Sequence, residues 1–175
     1  MMVRLAHIHF YHAERLPAGG EGRAFTLVPS PEEFPWSLLP ADAPNEAYRA
    51  RFAIGHCAVV SVVDSALAFR CWLASGSLRV DELALEWSLP EGDLCMYDVV
   101  TDTAFRGRGF YPDALSWVRT YPAAQSRVWV YCDATNISSQ RGIAKAAYVY
   151  VGSLRALVAR RTAILRAGRI AGVTR

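Results

Sequence analysis

Between residues 57 and 101 the chain offers strand-length apolar segments one after another, each closed by turn chemistry. "CAVVSVVDSALAFRCWLAS" (57–75) predicts two strands folded around Asp64-Ser65. "LRVDELALEWSL" (78–89) alternates, with Leu83, Leu85, Trp87 and Leu89 on one face and Ala84, Glu86 and Ser88 on the other. "PEGD" (90–93) is a turn, and "LCMYDVVT" (94–101) is a further strand. Strands joined by such short connections pair antiparallel. The period then changes. Phe110, Ala114, Trp117, Val118 and Tyr121 predict a helix over 109–121, and "RVWVYCD" (127–133) is a strand. Thr135 or Asn136 caps a helix running to about Lys145, and 147–166 reads as one or two closing strands.

Upstream, "NEAYRARFAIG" (45–55) predicts a helix with Asn45 as N-cap and Gly55 just past its end. Proline-rich 31–44 is a loop holding at most one helical turn. Residues 1–30 are ambiguous, although Val3, Leu5, His7, His9 and Tyr11 would share one face of a strand. With no repeat and no linker, the expectation is a single domain over 1–175. Its class is mixed α/β (α+β), a mostly antiparallel central sheet flanked by helices.

Composition narrows the function classes. Hydrophobic residues make up 53% and charged residues 20%, which excludes a disordered chain. No apolar run is long enough to span a bilayer, and "MMVRLAHIHFYH" lacks the apolar stretch of a signal peptide, so no membrane partner and a cytoplasmic location are expected. Cys57, Cys71, Cys95 and Cys132 form no CxxC pair, and nothing completes a site around His7 and His9, so no metal is expected. Residues 134–175 carry 8 basic and no acidic side chains, against 11 basic and 16 acidic before them. That asymmetry suggests an anionic ligand or partner near the C-terminal third.

The most informative stretch is "YDVVTDTAFRGRGFYPDAL" (97–115). A strand leads into Arg106-Gly107-Arg108-Gly109 and then a helix. Helix N-termini present unpaired N–H groups and the positive end of the macrodipole, and glycines let a ligand approach the backbone. With two arginines added, such a unit is built to hold a phosphate. An ordinary tight turn with two exposed arginines is the other reading of the same residues. Neither GxxxxGK[ST] nor GxGxxG is present.

This order of elements resembles the GNAT superfamily of acyl-CoA-dependent N-acyltransferases. Arg106 to Phe110 matches the family pattern Q/R-x-x-G-x-G/A through its first glycine; Tyr111 stands at the final G/A position, followed by Pro112. The downstream pattern Asn-x-x-small…Lys-x-Gly-Phe appears as Asn136, Ser139, Lys145, Ala147 and Tyr148. The resemblance spans roughly 50–150. It implies a GNAT-like fold and acetyl-CoA as cosubstrate. Val99, Val100 and Thr101 would pair with the pantetheine arm, and the amides of Arg106, Gly107, Arg108, Gly109, Phe110 and Tyr111 would cradle the pyrophosphate. Asn136 would lie beside the pantetheine or thioester, with Ser139 and Arg141 near the adenosine end.

Acyl transfer to an amine needs a neutral amine, donors for the oxyanion, and a proton for the departing thiolate. Asp98 is the first candidate base, on a strand face with Leu94, Met96 and Val100, where apolar neighbours raise a carboxyl pKa; an Asp satisfied by backbone or by an arginine is the alternative. Glu86 is the second. Many family members carry a Tyr seven residues after the Asn as general acid; here that residue is Ile143, and Ser138, Tyr148, Tyr150 or water are the substitutes. The expected activity is N-acetyl transfer to a primary amine, on a small molecule or a protein, with a homodimer left open. Trp36, Trp87, Tyr11 and loop 31–44 could line the acceptor pocket. A non-catalytic acyl-CoA-binding module is the alternative. An RNA-binding protein using the basic C-terminal third is a weaker one, since arginines in 155–166 interleave with Leu, Val and Ile and no RNA-binding motif is present.

Overall fold

The computed structural model describes residues 3–17, 23–121, 126–159 and 162–170. Ten strands and three helices follow in the order β1 (Val3–Glu14), β2 (Thr26–Val28), α1 (Asn45–Ala53), β3 (Cys57–Val63), β4 (Ala66–Ala74), β5 (Ser77–Val80), β6 (Leu85–Ser88), β7 (Leu94–Thr101), α2 (Phe110–Thr120), β8 (Arg127–Asp133), α3 (Ile137–Lys145), β9 (Val149–Ala159) and β10 (Thr162–Ile170). Eight strands form one sheet in the order β10-β9-β1-β8-β7-β4-β3-β2. Every pairing in it is antiparallel except β7 with β8. The mixed, mostly antiparallel class read from the sequence is the observed one.

Local chemistry explains the turns. Asp64 and Ser65 both adopt positive φ (49° and 63°), the handedness that a two-residue hairpin between right-twisted strands requires. Asn136 caps α3 by accepting the Ser139 amide at 3.0 Å. At the other end, Tyr148 N–H reaches the Ile143 carbonyl and Ala147 N–H the Ala144 carbonyl, with Ala147 at φ 58°. This is a Schellman ending in which alanine occupies the left-handed position.

The sheet is covered on both faces. On one, Ile8, Phe10, Trp72 and Trp129 pack with Tyr48 and Phe52 of α1 and with Trp87 of the β5–β6 hairpin. On the other, Val59, Met96 and Val130 pack with Phe110, Leu115 and Val118 of α2 and Ile143 of α3. Asp93, 2% exposed, ties the start of β7 to β8 by accepting the Trp129 indole N–H at 2.6 Å and the Arg127 amide at 3.1 Å, and by pairing with the Arg127 guanidinium at 3.1 Å.

Some expectations change. Residues 78–89 are not one alternating strand: β5 and β6 form a separate two-stranded hairpin around a short helical turn (Asp81–Leu83), where Ala84 is left-handed at φ 47° and buried. Asn45 is the first helical residue rather than the cap, which is Pro44. Tyr121 lies just past α2. The ambiguous N-terminus is a central strand: β1 pairs with both β8 and β9. Of the basic C-terminal residues, Arg160, Arg161, Arg175 and the Arg166 side chain lie outside the described residues.

Alanine at φ 58° carries a Cβ penalty that glycine does not. Ala147→Gly is therefore expected to stabilise the protein by about 1 kcal/mol, read as a higher urea midpoint at unchanged slope.

Candidate active site

The site begins with a fault in one strand. Between the pairs Arg70↔Val100 and Trp72↔Tyr97, the single residue Cys71 of β4 faces two residues of β7, Asp98 and Val99. This is a β-bulge, and Asp98 absorbs it at φ 46°, a conformation Asp tolerates better than most residues. The bulge reverses the strand's parity. Leu94 and Met96 belong to the helix-side core, and beyond the bulge it is Val99, not Asp98, that joins them. Pairing between β7 and β8 is confined to Leu94–Met96 against Val128–Val130, so the two strands part before their C-terminal ends.

Two clefts open at that parting. One, of about 660 Å³, lies on the helix side and is lined among others by Val99, Val100, Thr101, Arg106, Gly107 and Gly109. The other, of about 450 Å³, is lined among others by Arg51, Glu82, Tyr97, Asp98, Tyr131 and Asp133. Val99, Tyr111, Asn136 and Ser139 line both.

The floor of the larger cleft is the N-terminus of α2. Gly107 (φ 73°) and Gly109 (φ 85°) are both left-handed. No Cβ built on Gly107 would meet an atom within 4 Å. Among the described residues the amides of Gly107, Arg108, Gly109, Phe110 and Tyr111 have no backbone or side-chain acceptor; the Arg106 amide, by contrast, bonds the Thr103 carbonyl at 3.4 Å. Pro112 contributes no donor, which is tolerated in a first helical turn. The Phe110 ring is buried, so this residue offers only its amide. Arg106 turns back to donate to the Thr101 carbonyl at 3.3 Å, whereas Arg108 lies with its guanidinium 5.3 Å from the Phe105 ring centre and lines neither cleft. Arg23, which the sequence did not single out, braces the loop: it donates to the Arg108 carbonyl at 2.7 Å, pairs with Asp113 at 3.3 Å and lies 3.8 Å from the Phe110 ring centre.

The candidate catalytic residues are placed differently from expectation. Asp98 does not sit among Leu94, Met96 and Val100. Its carboxylate is partly exposed and ion-paired with Arg51, because the bulge turned it off that face. Glu86 lies on the outer face of the β5–β6 hairpin, bonded to Arg79 at 2.9 Å, and lines neither cleft. Ile143 is fully buried, and Tyr148 uses its hydroxyl on the Leu115 carbonyl at 3.1 Å. Tyr150 is exposed beside His9 and lines neither cleft. Ser138 does line the larger cleft. Ser139 lines both clefts and Arg141 lines neither; Lys145, also of the basic C-terminal third, lines the larger one.

The smaller cleft is walled by groups the sequence did not point to. Tyr97 sends its hydroxyl to Nδ1 of buried His56 at 2.7 Å, while His56 Nε2 lies 3.1 Å from the Ser77 carbonyl. Nε2 therefore carries the proton, and Nδ1 accepts from Tyr97. Burial holds His56 below its ordinary pKa and pushes the Tyr97 phenol up. The Thr135 hydroxyl and amide bond Asp133 at 2.6 and 2.7 Å and hold its carboxyl below the usual range. Trp87 is in the core, and neither Trp36 nor Tyr11 lines this cleft. The only sequence signal for Tyr97 and Tyr131 was their parity, opposite to Met96 and Val130 in their strands.

No protein-family model matches the chain, and no curated protein sequence matches it. Solved structures do match. A GNAT-family acetyltransferase from Colwellia psychrerythraea aligns with TM-score 0.56 and 12% identity over 86% of this chain and 54% of its own. The chain has the GNAT fold. A GCN5-related N-acetyltransferase from Sphaerobacter thermophilus aligns at TM-score 0.56 and 12% identity, over 89% of this chain and 53% of its own. A tandem GNAT protein from the clavulanic acid biosynthesis pathway gives 0.52 and 16%, over 87% and 54%. The chain thus spans a little over half the length of these neighbours. At such identities the likeness is one of GNAT fold, and the residues of the two clefts have to be read on their own chemistry.

Asp98 is a conformational residue as well as a charged one. Asp98→Asn keeps the left-handed tolerance and loses only a partly exposed ion pair, so it is expected to cost no more than about 1 kcal/mol of stability. Asp98→Val forces a β-branched residue to the same φ and is expected to cost about 1–3 kcal/mol. Thermal melts of the two variants check the order.

Proposed function

We propose that the chain is an acetyl-CoA-dependent N-acyltransferase that moves the acyl group to a primary amine by direct attack. One observation carries this reading. Two clefts, one floored by a helix N-terminus with two left-handed glycines and the other rich in carboxylates and phenols, meet where β7 and β8 part. The first suits a pyrophosphate with a thioester arm. The second, with four carboxylates (Asp81, Glu82, Asp98 and Asp133) against the guanidinium groups of Arg51 and Arg79, suits a cationic amine. The GNAT fold supports acyl transfer in general terms, and the acetyl donor and the amine acceptor belong to this proposal.

In this reading the free amides from Gly107 to Tyr111 hold the pyrophosphate, with Lys145 and Arg106 adding charge. The edge of β7 beyond Met96, left without β8, pairs with the extended arm, and its N–H groups near Val99 face the thioester oxygen as negative charge develops. The amine enters between Tyr97, Tyr131 and Glu82, loses a proton through water, and attacks the carbonyl carbon. The carbon–sulfur bond breaks and CoA departs with the electron pair. Ser138, within the larger cleft, and water remain the donors to that sulfur. The second reading, a non-catalytic acyl-CoA-binding module, is favoured by one observation: Ile143, where the resemblance puts a general acid, is sealed in the core. Turnover across a panel of amines separates the two.

A thermal-shift screen tests the proposal. Acetyl-CoA at 100 times its dissociation constant is expected to stabilise the protein by about 2.7 kcal/mol, with no comparable shift from ATP or NAD. Gly109→Val is expected to abolish that shift. Because Gly109 is at φ 85°, the variant also loses about 1–3 kcal/mol of intrinsic stability, read in ligand-free melts. Arg108→Ala, whose side chain lies on Phe105, is expected to change the shift little. Calorimetry showing ATP tighter than acetyl-CoA would sink the reading.

A further inference from the structure

The position where the GNAT resemblance places glycine or alanine holds Tyr111, and its surroundings give it a definite task. The two clefts share only four lining residues: Val99, Tyr111, Asn136 and Ser139. If a thioester enters by one cleft and an amine by the other, the acyl group must sit among those four. Tyr111 is the largest of them and the only ring.

That ring has little freedom to withdraw. Its backbone is fixed in the first turn of α2, between Phe110, whose side chain is 2% exposed, and Pro112. Behind it lies α3. A Cβ built on Gly142 would come within 2.7 Å of Tyr111 Cδ1 and 3.1 Å of Cε1, so the ring already rests on the α3 backbone. The ring lines both clefts, so it reaches from α2 to the opening between β7 and β8. Burial pushes its phenol pKa up, so it is neutral and uncharged at any ordinary pH, and no hydrogen bond to another described residue holds it.

We propose that the Tyr111 ring sets the acyl length this protein accepts, admitting acetyl- and propionyl-sized thioesters and excluding longer chains. The inference rests on the acyl-CoA reading above. Its physical basis is that a longer chain at the junction must either displace the ring or turn back along its own cleft. Displacement is opposed by the α3 backbone at Gly142. A glycine or alanine in its place would leave the clefts continuous.

Calorimetry with acetyl-, butyryl- and hexanoyl-CoA on the parent, Tyr111→Ala and Tyr111→Phe tests this without knowledge of the acceptor. The parent is expected to bind hexanoyl-CoA at least roughly tenfold more weakly than acetyl-CoA, the scale on which pockets discriminate methylenes. Tyr111→Ala is expected to bind hexanoyl-CoA at least as tightly as acetyl-CoA. Tyr111→Phe keeps the ring and is expected to keep the parent's preference. Tyr111→Leu, smaller but still apolar against Gly142, is expected to relax the preference in the same direction and serves if the alanine variant fails to fold. A parent that binds hexanoyl-CoA as well as acetyl-CoA overturns the inference, and so does a preference unchanged in both smaller variants. If neither the parent nor any variant binds an acyl-CoA, the acyl-CoA reading itself falls, and the length limit with it.

Discussion

The architecture depends on one residue held in a left-handed conformation in the middle of a strand. At Asp98 the ladder between β7 and β4 gains an extra residue, and the strand's side chains exchange faces. Before the bulge, β7 is an ordinary central strand locked to β8 through buried Asp93, Arg127 and Trp129. After it, β7 keeps β4 and gives up β8. A regular strand would have closed the sheet along its whole length and left no opening. The bulge turns a continuous sheet into one with a notch, and a notch lined by unpaired backbone can receive an extended ligand as another strand would be received.

The rest of the site follows from what surrounds that notch. α2 follows β7 after one short helical turn (Thr103–Phe105) and the glycine loop, and its N-terminal amides line the same opening. Left-handed Gly107 and Gly109 keep those amides turned outward, and Arg23 fixes the loop from the side, so the helix dipole and the free donors point into one cleft. Across the sheet, the bulge delivers Asp98 to Arg51 of α1 and to a cleft walled by phenols and carboxylates. The two chemistries lie on opposite sides of one opening, and Tyr111, backed by Gly142, stands between them.

Much of this was legible in the chain. Strands β3, β4, β7 and β8 are bounded as their apolar runs are, because alternation and Asp or Gly turns act locally. The RGRG loop was legible because donors, glycines and a helix start are adjacent in sequence. A helix cap at Thr135 or Asn136 was likewise legible locally, and the structure assigns it to Asn136. The sequence by itself determined the class of the fold and the place of the loop. Only the tertiary structure decided which face Asp98 takes, since a bulge is a mismatch between two strands and leaves no mark in either alone. It likewise decided that Glu86 belongs to a separate hairpin, that β1 lies in the middle of the sheet, and that Tyr97, Tyr131, Arg51 and Glu82 share a cleft. Those residues come from four separate segments, and period and spacing describe one segment at a time. Their proximity follows from which strands pair and where they part.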